Sequence, residues 1–108
     1  LTRGLVTANE VDAELPTEFT LRGNYPNPFN PSTTIQFDLP QTADVNIIVV
    51  DLLGRQVLSV PTATIDAGSS KTIQVDASSL SSGVYMYRLV ANMQNGVQVR
   101  VGTMTLIK

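Results

Sequence analysis

From Phe19 onward the chain alternates: apolar side chains recur at every second residue, in short runs broken by Gly, Asn, Asp, Ser and Pro. A period of two fits extended backbone, because successive Cβ atoms of a strand point to opposite faces. In residues 33–39, Ile35, Phe37 and Leu39 share a face; in residues 45–51, Val45, Ile47 and Val49 share one, with Asn46, Ile48 and Val50 on the other. Segments 55–60, 71–75, 84–91 and 97–107 follow, each rich in β-branched or aromatic residues and bounded by turn formers. Residues 18–22 bring the candidates to seven. No ten-residue window holds a helical apolar stripe free of Gly, Pro or a β-branched cluster. The expected fold is therefore all-β, an immunoglobulin-like (Ig-like) antiparallel β-sandwich of about seven strands.

Two turns and one irregularity refine that expectation. Asn95-Gly96 is the strongest short hairpin signal, since both central residues of a type I′ turn need φ > 0, and Leu52-Leu53-Gly54-Arg55 is a weaker one. In the last segment Val97, Val99 and Val101 are apolar at odd positions, then Met104 and Leu106 at even ones. Strict alternation predicts that one residue is absorbed between the two sets, and Gly102 is the natural place for a bulge.

At 108 residues the chain is one domain in size, and its hydrophobic fraction of 43% suffices for a core without metal or disulfide. It has no Cys, no His and no Trp. That removes the imidazole base, the thiolate nucleophile and the N and S ligands of zinc, copper and iron–sulfur sites. No catalytic residue, cofactor site or metal site is expected. Seven Lys and Arg are scattered against nine Asp and Glu, a net charge of -2 with no basic stripe, which argues against a nucleic-acid partner. Apolar runs such as residues 47–50 fall far short of the roughly 20 residues of a membrane helix, so no membrane span is expected.

Residues 1–15 mix polar, acidic and small residues without a sustained period and read as a linker from a preceding domain, with residues 16–108 as the folded unit. The alternative is an extra strand around residues 4–8. Because the first residue is Leu, the chain is expected to be a piece of a longer protein. Asn24-Tyr25-Pro26-Asn27-Pro28-Phe29-Asn30-Pro31-Ser32 is unlike the rest, with three prolines in six residues. Each fixes its own φ and pushes its predecessor toward extended geometry. The segment reads as a stiff edge connection that discourages strand addition, or as a docking peptide for an aromatic groove.

Several of these residues carry a resemblance. Asn24-Tyr25-Pro26-Asn27-Pro28-Phe29-Asn30-Pro31-Ser32-Thr33-Thr34-Ile35, Phe37-x-Leu39-Pro40, Asp51-x-x-Gly54-Arg55-x-Val57, Ala67-Gly68, Ser82-Gly83-Val84-Tyr85-x-Tyr87-Arg88-Leu89 and a final Leu106-x-Lys108 occur in that order. Together they resemble the type A C-terminal sorting domain of the type IX secretion system, a structural relative of the Ig-like domain of flagellar hook-capping proteins. The resemblance covers residues 15–108. It departs at Gly102 and Thr103, where such domains usually carry a basic residue, and at Val50, often a Tyr.

The resemblance implies a C-terminal signal that directs an upstream cargo domain of the same chain through the periplasm and across the outer membrane, to be secreted or held at the cell surface. Its partners would be the type IX translocation machinery and a sortase-like peptidase that cuts upstream of the folded unit. It marks Gly83, Tyr85, Leu106 and Lys108 as recognition residues, and Asn24, Tyr25, Pro26, Asn27, Pro28, Phe29, Asn30 and Pro31 as a mainly structural family motif.

Other features have plainer readings. Tyr85, Tyr87 and Leu89 share a face and are expected in the core, the alternative being a sugar-stacking platform. Asp38, Asp44, Asp51, Asp66 and Asp76 lie singly near strand ends, where Asp caps turns; a catalytic or calcium-binding pair is the alternative. Arg88 is expected to point outward. Two competing functions are a carbohydrate-binding module and a plain spacer of a secreted enzyme.

Overall fold

The computed structural model describes residues 15–108. The linker expected at residues 1–15 and the alternative strand around residues 4–8 thus lie outside the described residues, Leu15 excepted. Seven strands follow: β1 (Thr20–Tyr25), β2 (Ser32–Leu39), β3 (Ala43–Val50), β4 (Gln56–Ile65), β5 (Gly68–Asp76), β6 (Gly83–Met93) and β7 (Gly96–Leu106). Among the described residues there is no helix.

Every pairing between these strands is antiparallel, and they form a three-stranded sheet in the order β1–β2–β5 and a four-stranded sheet in the order β4–β3–β6–β7. The two inner faces close on one core, as alternation requires. Val45, Ile47 and Val49 pair directly with Ala91, Leu89 and Tyr87, while Ile35, Phe37, Leu39 and Val75 come from the opposite sheet; all are buried. Phe19 and Phe37 meet edge to face with centroids 6.5 Å apart. Tyr85, Tyr87 and Leu89 lie in the core and Arg88 points outward, as expected.

The strand limits differ in instructive ways. β1 runs on through Asn24 and Tyr25, the start of the proline segment, and β4 runs ten residues through Pro61. Pro61 is tolerated because β4 is an edge strand, where a missing donor disturbs one neighbour at most. The final hairpin forms, but its turn sits at Gln94 and Asn95, with Met93 paired to Gly96. Positive φ there is confined to Gly96, so the type I′ turn centred on Asn95-Gly96 is not the one adopted.

The expected bulge at Gly102 is absent. β6 and β7 pair in unbroken register from Gly83 with Leu106 to Met93 with Gly96. Gly102 instead faces inward against the Tyr87 ring, where an added Cβ would stand 2.4 Å from ring atoms. The glycine serves close approach, and the valines at 97, 99 and 101 simply point outward, all exposed.

A register shift that does occur lies in β1, between Leu21 and Gly23. It re-aims Arg22 at Asp38, as β-bulges commonly do. Arg22 Nε donates to both carboxylate oxygens at 3.0 Å and Nη2 donates to Oδ2 at 2.7 Å, while the Ser70 N–H donates to Oδ1 at 2.9 Å. One carboxylate on β2 thereby ties both flanking strands of its sheet. Hydrogen bonding from Arg22 holds Asp38 below the usual carboxylate range, against the opposing effect of burial.

Candidate recognition surface at the terminal strand

Three prolines leave residues 26–31 few N–H donors, yet the segment does not hang loose. It lies along the outer edge of β7. Phe29 is buried and pairs in parallel with Leu106: its N–H donates to Thr105 O at 3.0 Å, and the Ile107 N–H donates to Phe29 O at 2.9 Å. The Asn27 amide completes the strip, accepting from the Thr105 N–H at 3.0 Å and donating to Thr103 O at 3.3 Å. On the other side Thr33 Oγ1, itself buried, donates to Pro26 O at 2.7 Å and accepts from the Asn24 amide at 3.2 Å. The Ala77 N–H closes on Pro31 O. The edge-connection reading of this segment therefore describes what it does: it occupies the backbone edge that another strand would use.

The residues marked for recognition converge at this end of the sandwich. Gly83 pairs directly with Leu106, and Tyr85 pairs with Met104 two residues along the hairpin. Leu106 is 1% exposed and Tyr85 8%, with the Tyr85 hydroxyl donating to Ser81 O at 2.6 Å. These side chains build the surface from beneath. What the end presents is Ile107, 54% exposed, and Lys108. The Lys108 N–H donates to Ser82 Oγ at 2.9 Å and its Nζ donates to Ser78 O at 2.8 Å, so the last residue is held against the loop between β5 and β6.

The aspartates do not gather. Asp51 caps the β3–β4 turn, accepting from the Leu53 and Arg55 N–H groups and pairing with the Arg55 guanidinium at 2.8 Å. Asp76 accepts from the Ser78 N–H, and Asp44 accepts from the Thr64 hydroxyl. The hydrogen bonds from Arg55 and from Ser78 hold Asp51 and Asp76 low. Among the described residues no three acidic side chains stand close enough to hold a metal.

Sequence reasoning missed two features. The Asn27 clamp was hidden because its partners lie 76 and 78 residues away. The other is the rest of β7's edge. Thr103 O, both Thr105 groups and the Ile107 N–H point away from β6, toward residues 27–29. An antiparallel strand alternates these directions, so Val97, Val99 and Val101 turn their N–H and C=O groups to the same outer edge. Among the described residues no strand pairs with them. The parity change of β7 was the signal, and it was readable.

A protein-family model described as the secretion system C-terminal sorting domain matches residues 24–101, ending before Leu106 and Lys108. No curated protein matches the chain. Among solved structures, part of the dimeric latent PorU from Porphyromonas gingivalis is similar, with a TM-score of 0.67 and 23% identity over 90% of this chain and 10% of that one. This chain thus spans about a tenth of the PorU chain. CopC from Methylosinus trichosporium OB3b is similar with a TM-score of 0.56 and 16% identity, over 82% of this chain and 93% of that one. At these identities both likenesses speak to the sandwich fold alone.

Proposed function

The chain belongs to the secretion system C-terminal sorting domain family, the sorting signal of type IX secretion, and we propose that its export machinery reads the end of the terminal hairpin around Lys108. The domain directs the protein that carries it out across the outer membrane. In our reading residues 16–108 are the signal and the preceding residues are the linker to a cargo domain. A sortase-like peptidase cuts in that linker, and the cargo passes through the periplasm to be secreted or held at the cell surface. The role is recognition, with no catalytic residue in it.

One observation carries the placement: the last residue is fixed at both its N–H and its Nζ, beside a β7 edge already closed by residues 27–29. A machinery serving many cargoes needs a feature held in one place in every copy. The lysine ammonium offers a point charge there, while Leu106 and Tyr85 shape its support. A carbohydrate-binding reading loses its two-tyrosine platform, because Tyr85 and Tyr87 are core residues.

The test is a secreted reporter fused upstream of residues 1–108 in a bacterium with a type IX system. The reporter is expected outside the cell. Lys108→Ala, which removes an exposed side chain and its one hydrogen bond to Ser78 O, is expected to move the unfolding midpoint little and to retain the reporter inside. Normal export of that variant would show that recognition lies elsewhere on the domain.

A further inference from the structure

We propose that the outer face of the three-stranded sheet carries a carbohydrate site, in which Tyr25 stacks on one ring of a neutral hexose glycan while Arg22, Thr34, Gln36 and Thr72 hydrogen-bond its hydroxyls. The site is independent of how the export machinery reads Lys108. Tyr25 is the one large side chain of its segment that the fold does not use. The Asn24 and Asn27 amides, the Phe29 ring and the Pro31 carbonyl are all built into the sandwich, whereas the Tyr25 ring stands 83% exposed. A rigid aromatic held out in water gives a fold nothing and offers a ligand a flat face with a polar tip.

The sheet shapes a hollow beside that ring. Tyr25 stands opposite Thr34, and the next outward row is Gly23, Gln36 and Thr72. Strict alternation would turn Arg22 inward with Asn24, but the register shift between Leu21 and Gly23 brings it onto the outer face, bonded to Asp38. Gly23 therefore lies between two large side chains and adds none of its own; a Cβ there would meet nothing within 4 Å. The concavity, about 300 Å³ and open to solvent, is lined by residues 22–25 with Thr34, Gln36 and Thr72. That is the low end of ligand-site volumes and suits a single sugar ring.

The lining selects the ligand. It holds no Val, Leu, Ile or Met to bury a lipid tail or an apolar peptide anchor, and its one cation is neutralised by Asp38 at 2.7 Å, which disfavours a phosphate or carboxylate. What remains is an aromatic face beside neutral hydrogen-bonding groups. The C–H bonds on one face of a pyranose carry partial positive charge and meet the negative face of a tyrosine ring, while the Gln36 amide and the Thr34 and Thr72 hydroxyls can each both donate to and accept from sugar hydroxyls. Arg22 adds donors already fixed in place: Nε and Nη2 are bound to Asp38, and both N–H groups of Nη1 lack a protein partner among the described residues. Asp38 is itself held by the Ser70 N–H, so the guanidinium is set before a ligand arrives.

One ring in a shallow site binds with a Kd on the order of 1 mM, so the site holds where sugar units are dense. The probes are maltohexaose, cellohexaose, mannohexaose and galactohexaose, each titrated to about 10 mM into the isotopically labelled 108-residue protein and followed by amide chemical shifts. At least one is expected to shift the amides of residues 22–25, 34–36 and 72 and to leave those of residues 97–101 unmoved. Tyr25→Ala is expected to weaken that binding by about tenfold or more without moving the unfolding midpoint, because the ring is exposed. Tyr25→Phe keeps the stacking face and is expected to lose no more than about threefold. A reporter carrying Tyr25→Ala is expected to be exported normally, which separates this site from the reading of Lys108. No shift with any of the four sugars would overturn the proposal, and so would shifts that survive Tyr25→Ala. Loss of export in Tyr25→Ala from a domain that binds none of the sugars would assign the ring to a protein partner instead.

Discussion

The two halves of β7 share one partner and one register and are built on opposite plans. From Thr103 to Leu106 the apolar side chains, Met104 and Leu106, point into the core, and the outer backbone edge is closed by residues 27–29. From Val97 to Val101 the apolar side chains point out, the inward positions hold Gln98 and Arg100, and the edge is open among the described residues. Pairing with β6 makes both halves a strand, so it cannot be what distinguishes them. The difference lies in what stands across the sandwich. Met104 and Leu106 have the buried core and Phe29 against them, whereas Arg100 lies over the Phe19 ring with its guanidinium carbon 4.9 Å from the centroid, closing the core's rim. One half builds the fold, and the other is surface.

The largest effect should separate the halves outright. Leu106→Ala removes a fully buried side chain and is expected to cost about 3 kcal/mol, against under about 0.5 kcal/mol for the exposed Val101→Ala. Urea unfolding of both variants measures it, and equal costs would erase the distinction. Gly102→Ala probes the junction between the halves. Its Cβ would meet the Tyr87 ring at 2.4 Å, so overpacking of about 2 kcal/mol is expected, where a bulge-forming glycine would show only a backbone effect. A companion Tyr87→Leu change should relieve most of that penalty, since it removes the obstructing ring atoms.

The opposite sheet offers an acid-sensitive contrast. Asp38 is held below its ordinary value by Arg22 and Ser70, so its stabilisation is complete above the unfolded-state pKa, 3.8, and is lost as pH falls through the lower folded value. Asp51 and Asp76 have the same sign. The unfolding midpoint should stay level from neutral pH down to about 5 and fall below about 4. Asp38→Asn should cost about 2 kcal/mol at neutral pH and far less in acid, where the wild-type carboxylate is itself protonated.

Much of this was legible in the sequence, for a physical reason. The alternation of Val45, Ile47 and Val49, of Ile35, Phe37 and Leu39, and of Tyr85, Tyr87 and Leu89 announced faces directly, because side-chain direction in a strand is a local property. The inversion in β7 was visible too. It was misread because a one-residue bulge and an outward apolar stripe give the same string of letters, and only the material across the sandwich decides between them. Asn27 and Asp38 were illegible as clamps, since their partners lie far along the chain and no local pattern reports a hydrogen bond between a loop and a distant edge. The proline segment was readable as stiff, but not as the cover of a particular strand. The residues marked for recognition gathered at one end because Gly83 and Leu106 are paired by the hairpin, and a hairpin is a local structure.

The smallest effect tests whether the clamp on β7 is the physical cause of the contrast. Asn27 accepts from the Thr105 N–H and donates to Thr103 O and to Asn24 Oδ1, and all three contacts are made by neutral groups. Asn27→Ala should therefore cost only about 1 kcal/mol, and by the same amount at neutral pH and at pH about 4, unlike Asp38→Asn. Its more telling consequence is local. With the amide gone, the Thr105 N–H loses its partner while Phe29 still covers Thr105 O and the Ile107 N–H. Amide hydrogen exchange at Thr105 should then rise toward that of Val99 and Val101, whose N–H groups already face outward, while the exchange of Gly102 and Met104, bonded to β6, stays slow. If Thr105 stays protected in the variant, the edge of β7 is shielded by the proline segment as a whole, and the single amide is a bystander in it.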